Sequence, residues 1–151
     1  MRRVWLAFAL VVVAVSVGAA QAKPSFAGTW TQVAPADQAG EEILVKHDAT
    51  TLSQEHPSDG GSHLLKYIVD GKEHQAEPIG MGSGHEVTTK YTATWQGATV
   101  VVEETSDYQS GLHRVARSVW SLDAKGQLVI DFSGNMPDGS QMKIQMIYKK
   151  K

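Results

Sequence analysis

The stretch Tyr91–Ile130 reads YTATWQGATVVVEETSDYQSGLHRVARSVWSLDAKGQLVI, and its punctuation decides the fold. Runs rich in Thr, Val and Trp alternate with short clusters of Gly, Asp, Ser and Lys, the pattern of strand and turn. A two-residue turn at Gln96-Gly97 pairs Trp95 with Ala98, Tyr91 with Val102 and Thr89 with Glu104. A five-residue loop, Asp107–Gly111, sets Glu104 opposite Arg114 and Ala98 opposite Trp120. Asp123-Ala124-Lys125-Gly126 has the form of a type I turn closing on a left-handed glycine, which pairs Leu122 with Leu128 and Trp120 with Ile130. Paired residues share a sheet face. One face then collects Tyr91, Ala93, Trp95, Ala98, Val100, Val102, Ala116, Trp120, Leu122, Leu128, Ile130 and Phe132, and the other Lys90, Thr92, Thr94, Thr99, Glu103, His113 and Arg117. One buried and one wetted face mark an antiparallel sheet closed on itself or packed on a second sheet. Trp95, Ala98 and Trp120 form the large–small–large layer that a barrel interior needs.

Outward from this stretch the texture persists. Strands are expected at Phe26–Val33, Ile43–His47, Thr51–Glu55, Leu64–Val69, Lys72–Ala76 and Gln141–Lys149. Asp70-Gly71 reads as a two-residue hairpin turn between the fourth and fifth of the chain's strands. Ala34–Glu42 has room for one helical turn, and His56–Ser62 and Glu77–Gly84 read as irregular loops. No stretch of ten residues has helical periodicity. The expected fold is all-β: an antiparallel up-and-down β-barrel of about 8 to 10 strands with little or no helix, because few connections are long enough to cross a barrel end.

The N-terminus predicts the compartment. Met1-Arg2-Arg3 is a short positive segment, Val4–Val17 is apolar apart from Ser16, and Gly18-Ala19-Ala20-Gln21-Ala22 ends in an Ala-x-Ala site. That order is a signal peptide, residues 1–22, with cleavage after Ala22. The apolar run is shorter than the roughly 20 residues that span a bilayer. The expected mature domain is residues 23–151, secreted or periplasmic, with no membrane span. Without Arg2 and Arg3 it carries 12 basic and 16 acidic residues, a formal charge of −4. An acidic domain in which only Lys149-Lys150-Lys151, a charged chain end, clusters basic residues is a poor nucleic-acid binder. There is no cysteine, so packing and backbone pairing alone must hold the domain.

Phe26-Ala27-Gly28-Thr29-Trp30 places a Gly-x-Trp at the entry to the first strand, and in this respect the chain resembles lipocalins and their relatives. Tyr67–His74, Tyr91–Glu103 and Trp120–Ile130 resemble small bacterial secreted proteins loosely called lipocalin-like. The resemblance covers most of residues 23–151 and implies the barrel and a ligand-binding role. The chain departs from lipocalins proper in ending on its last strand with no helix behind it. Ala34–Glu42 is also too short for the two-helix lid of intracellular lipid-binding proteins.

Chemistry-bearing motifs are sparse. None of the six histidines, His47, His56, His63, His74, His85 and His113, sits in a compact metal-binding spacing, though His56 and His63 flank a glycine-rich loop. Gly82-Ser83-Gly84-His85 sets a serine near a histidine with no third group to orient them, and the pairs Glu41-Glu42 and Glu103-Glu104 point to opposite faces. A non-enzymatic protein without cofactor or metal is expected. Arg114 shares the apolar face by register. It either anchors a ligand carboxylate by paired hydrogen bonds or forms a rim pair with Glu104; a bulge in Ser110–Val115 would turn it outward and bring Arg117 in. The expected function is binding of a small apolar or fatty-acid-like molecule inside the barrel by Trp30, Tyr91, Trp95, Arg114 and Trp120. The alternative is an envelope interaction or inhibitor module acting through loops His56–Ser62 and Glu77–Gly84.

Overall fold

The computed structural model describes residues 22–57, 63–76, 87–136 and 138–151. Residues 1–21 of the expected signal peptide, residues 58–62 of the first expected loop, the whole of the expected loop Glu77–Gly84, and His85 lie outside them. Ten strands follow: β1 Gly28–Ala34, β2 Glu42–His47, β3 Thr51–His56, β4 His63–Ile68, β5 Glu73–Gln75, β6 Val87–Gln96, β7 Thr99–Tyr108, β8 His113–Leu122, β9 Leu128–Asn135 and β10 Gln141–Lys150. A single turn of 3-10 helix, Ala36–Gln38, occupies the link between β1 and β2. All ten strands form one antiparallel sheet in the order β4-β3-β2-β1-β10-β9-β8-β7-β6-β5. Neighbours are consecutive in sequence except where β1 meets β10, so the chain is an up-and-down meander whose first strand pairs with its last in a nearly closed barrel.

The two outer strands of that order, β4 and β5, face each other across the seam, and here the expected hairpin at Asp70-Gly71 is corrected. The two strands do not pair: β4 pairs with β3, and β5 pairs with β6. A type I′ hairpin requires positive φ at both central residues, but only Gly71 (φ +74°) has it. The Asp70 carboxylate instead accepts hydrogen bonds from the Lys72 N–H (2.9 Å) and meets the His74 Nε2 (2.9 Å). This bend carries the chain across the seam, where the Gly71 N–H donates to the Ala93 carbonyl and the Ile68 N–H to the Tyr91 hydroxyl (3.0 Å).

Two registers also shift. β6 and β7 pair Trp95 with Val100 and Tyr91 with Glu104, because the connecting residues are Gly97-Ala98. Gly97 alone takes positive φ (+63°), the glycine-first pattern of a type II′ turn. The β7–β8 loop is three residues rather than five, closed by the Tyr108 N–H on the Leu112 carbonyl. Arg114 therefore faces Ser106, and Glu104 faces Ala116. Each slip is two residues, so every side chain keeps its face. The β8–β9 register is as expected, Leu122 with Leu128 and Trp120 with Ile130. The interior layer becomes Trp95–Val100–Trp120 in place of Trp95–Ala98–Trp120.

Inward positions of nine of these strands build the core: Trp30 and Gln32 from β1, Ile43 and Val45 from β2, Leu52 from β3, Tyr67 from β4, Tyr91 and Ala93 from β6, Val100 and Val102 from β7, Ala116 and Trp120 from β8, Leu128 and Ile130 from β9, and Tyr148 from β10.

Candidate functional site

The barrel has two unlike ends. At the base, the segment before β1 folds under the strands. Phe26 is fully buried, and its ring stacks on His47 (5.2 Å) and Trp95 (5.9 Å) with Trp120 at 6.4 Å. Its backbone is held by side chains: its N–H donates to His47 Nδ1 (3.3 Å), and its carbonyl accepts from Trp30 Nε1 (2.9 Å). A shallow cleft of about 230 Å³ lies outside this plug, lined by Lys23, Pro24, Ser25, His47, Asp48, Ala49 and Trp95. Above the plug the interior is filled. Trp30, Val45, Leu52, Ala93, Val100, Val102, Leu128, Ile130, Trp120 and Tyr148 each expose 2% of their surface or less, which leaves no water-sized void against them.

Towards the opposite rim the inward residues change character. On β3 they run from Leu52 to Gln54 and His56, whose side chains meet through Gln54 Nε2 and His56 Nε2. From β4 the Tyr67 hydroxyl donates to Glu104 Oε1 of β7 (3.1 Å). Burial raises the Glu104 carboxyl above its usual range, opposed by that hydrogen bond and by Arg114. Burial, with Glu104 beside it, likewise pushes the Tyr67 phenol up. Arg114 follows the inward alternation of Ala116, Ser118 and Trp120 and lies over the Phe132 ring (5.7 Å). Its Nε is buried without a hydrogen-bond partner. Arg117, by contrast, is exposed and reaches Glu103 (3.7 Å), so no bulge exchanges the two arginines. On β9 and β10 the inward Phe132, Met142, Ile144 and Met146 are only half-buried. Half-exposed inward side chains mark the end of the barrel that solvent reaches. The open half thus has a polar wall on β3, β4 and β7 and an apolar wall on β9 and β10, with Arg114 between them.

The expected ligand-lining residues fall in three places. Trp30, Tyr91 and Trp120 belong to the filled core, Trp95 borders the base cleft, and Arg114 faces the open half. Arg114 and Glu104 share that half but are diagonal neighbours rather than a rim pair, and no carboxylate oxygen of a described residue lies within 4.0 Å of the guanidinium. Gln54, His56 and Tyr67 went unread as site residues, although the change from Leu52 to Gln54 and His56 on one face of a strand is visible in the sequence. His74 pairs with Tyr91, which stands between it and Tyr67, its ring 5.6 Å from His74 and 5.1 Å from Tyr67. His56 and His63 are direct backbone partners. Among the described residues no three His, Asp or Glu gather to hold a metal ion, and no helix is long and apolar enough to cross a membrane. A scan of protein-family models finds no match to the chain, and a search of curated proteins finds none either.

Proposed function

We propose that this protein is an exported, non-enzymatic, lipocalin-like binding protein that takes a small, mainly apolar molecule into the open half of its barrel. One observation carries the reading: Phe132, Met142 and Ile144 point inward and remain half-exposed, and Arg114 Nε is buried there without a hydrogen-bond partner, while the base half is filled. Apolar lining with a few convergent polar groups is the usual make-up of a small-molecule site. Trp30, Trp95 and Trp120 act in this scheme as the packed floor, with Tyr91 at the seam and Arg114 touching the ligand. The test is titration of the folded domain, residues 23–151, with the neutral apolar probe N-phenyl-1-naphthylamine, followed by displacement with fatty acids. Saturable fluorescence enhancement reversed by a competitor is expected. A folded sample with no saturable binding overturns the reading and leaves the interaction module in its place. Export is tested separately: protein recovered from the cell envelope begins at Lys23.

A further inference from the structure

Resting on that reading, we propose that the occupant of the open half is a zwitterionic amphiphile, a molecule with an apolar body and one polar end bearing both a cationic and an anionic group. Among the described residues the open half holds one carboxylate and one guanidinium, Glu104 and Arg114, on adjacent strands. In the β7–β8 register Glu104 faces Ala116 and Arg114 faces Ser106, so the two are diagonal neighbours within reach of an ion pair. They do not form one. Glu104 leans away to Tyr67 of β4, and Arg114 leans the other way over Phe132 of β9. Arg114 Nε is buried without a hydrogen-bond partner, and among the described residues only one oxygen of the Glu104 carboxylate accepts a side-chain hydrogen bond.

A partly buried charge without a counterpart is unfavourable, and a group that supplies the counterpart gains most where water is scarce. A singly charged head can serve only one of the two. An anion on Arg114 sits beside the Glu104 carboxylate, and a cation on Glu104 sits beside the guanidinium. A neutral head adds a charged partner to neither. A dipolar head lying between β7 and β8 matches both, its anion taken by the guanidinium fork and its cation by Glu104, while the body lies against Phe132, Met142 and Ile144.

The experiment compares five dodecyl compounds, each below its micelle concentration, as competitors of N-phenyl-1-naphthylamine: dodecyldimethylglycine, dodecylphosphocholine, dodecanoate, dodecyltrimethylammonium and dodecanol. The two zwitterions separate a carboxylate anion from a phosphate one. At least one of them should bind about tenfold or more tighter than the three others, and which one identifies the anion. Glu104→Gln should move the preference to dodecanoate, and Arg114→Gln to dodecyltrimethylammonium. These are reversals of rank within a folded variant, checked by circular dichroism, which general destabilisation does not produce. Equal binding of all five, or tightest binding of a singly charged or neutral compound, overturns the inference and leaves the binding site standing. Failure of the probe and of all five to bind folded protein overturns both.

Discussion

Phe26 has both of its backbone polar groups engaged by side chains from other strands, His47 on its N–H and Trp30 on its carbonyl. The first contact sets the tautomer of His47. Its Nδ1 accepts, so in the neutral ring Nε2 carries the proton, and that nitrogen is buried without a partner. Protonation puts a second N–H against the Phe26 N–H and removes the acceptor. Burial accordingly holds the imidazole below its usual range, with Asp48 opposing. The unfolded chain takes up this proton as pH falls through about 6.5, and the folded chain only at lower pH, so the contribution is complete above about pH 6.5 and is lost as pH falls towards the depressed value. Asp48, Asp70 and Asp138, held low by hydrogen bonds to nearby Thr, His and Ser groups and backbone N–H donors, lose their contributions only below about pH 4. Glu104, raised by burial, acts in the opposite sense. Urea midpoints measured between pH 7.5 and 5 should therefore fall for the native chain and fall less for His47→Leu. Phe26→Ala leaves the backbone contacts possible but empties the plug, and should cost about 3–5 kcal/mol in the same assay.

At the scale of the element, the turns decide how much of the sheet is legible. Asp123 signals its own loop, since its carboxylate accepts the N–H groups of Lys125 (2.8 Å) and Gln127 (2.9 Å), and the register it sets agrees with the one read from sequence. Gln96-Gly97-Ala98 admits two frames, because one glycine serves either as the second residue of one turn or the first of the next. Alternation of side chains distinguishes faces but not a slip of two, so the interior membership was readable and the partners were not. A second slip of two, at the β7–β8 loop, separates Glu104 from Arg114. Asp70-Gly71 carries the hairpin signature, yet its strands lie on either side of the seam, a long-range choice that local pattern does not contain. The frame now assigned is testable. Gly97→Val forces a β-branched residue to positive φ and should cost at least about 1–2 kcal/mol in chemical denaturation, whereas Ala98→Gly should cost well under that.

Across the whole molecule the barrel divides into a filled base and an open half, and the sequence shows only the sum of the two. Aromatic residues at Trp30, Tyr91 and Trp120 read equally well as core or as ligand lining. Their packing became distinct only when all ten strands were placed around one axis. The seam is the weakest part of that wall: β5 has three residues, and the Tyr91 hydroxyl closes the gap by accepting the Ile68 N–H. Tyr91→Phe removes that acceptor. It should lower stability by about 0.5–1.5 kcal/mol and speed hydrogen exchange at the Ile68 amide well beyond that at amides of the β8–β9 ladder.

The pairing of Trp30 with Lys150 has a consequence for timing. The ladder that completes the sheet joins β1 to β10, so the barrel cannot finish until β10 is available to pair. Until then β1 and β9 each present a bare edge of unpaired N–H and C=O groups, and contacts so distant in sequence form slowly. The pairing of β1 with β10 is thus the ladder of greatest sequence separation in the sheet, and it waits on every strand between them.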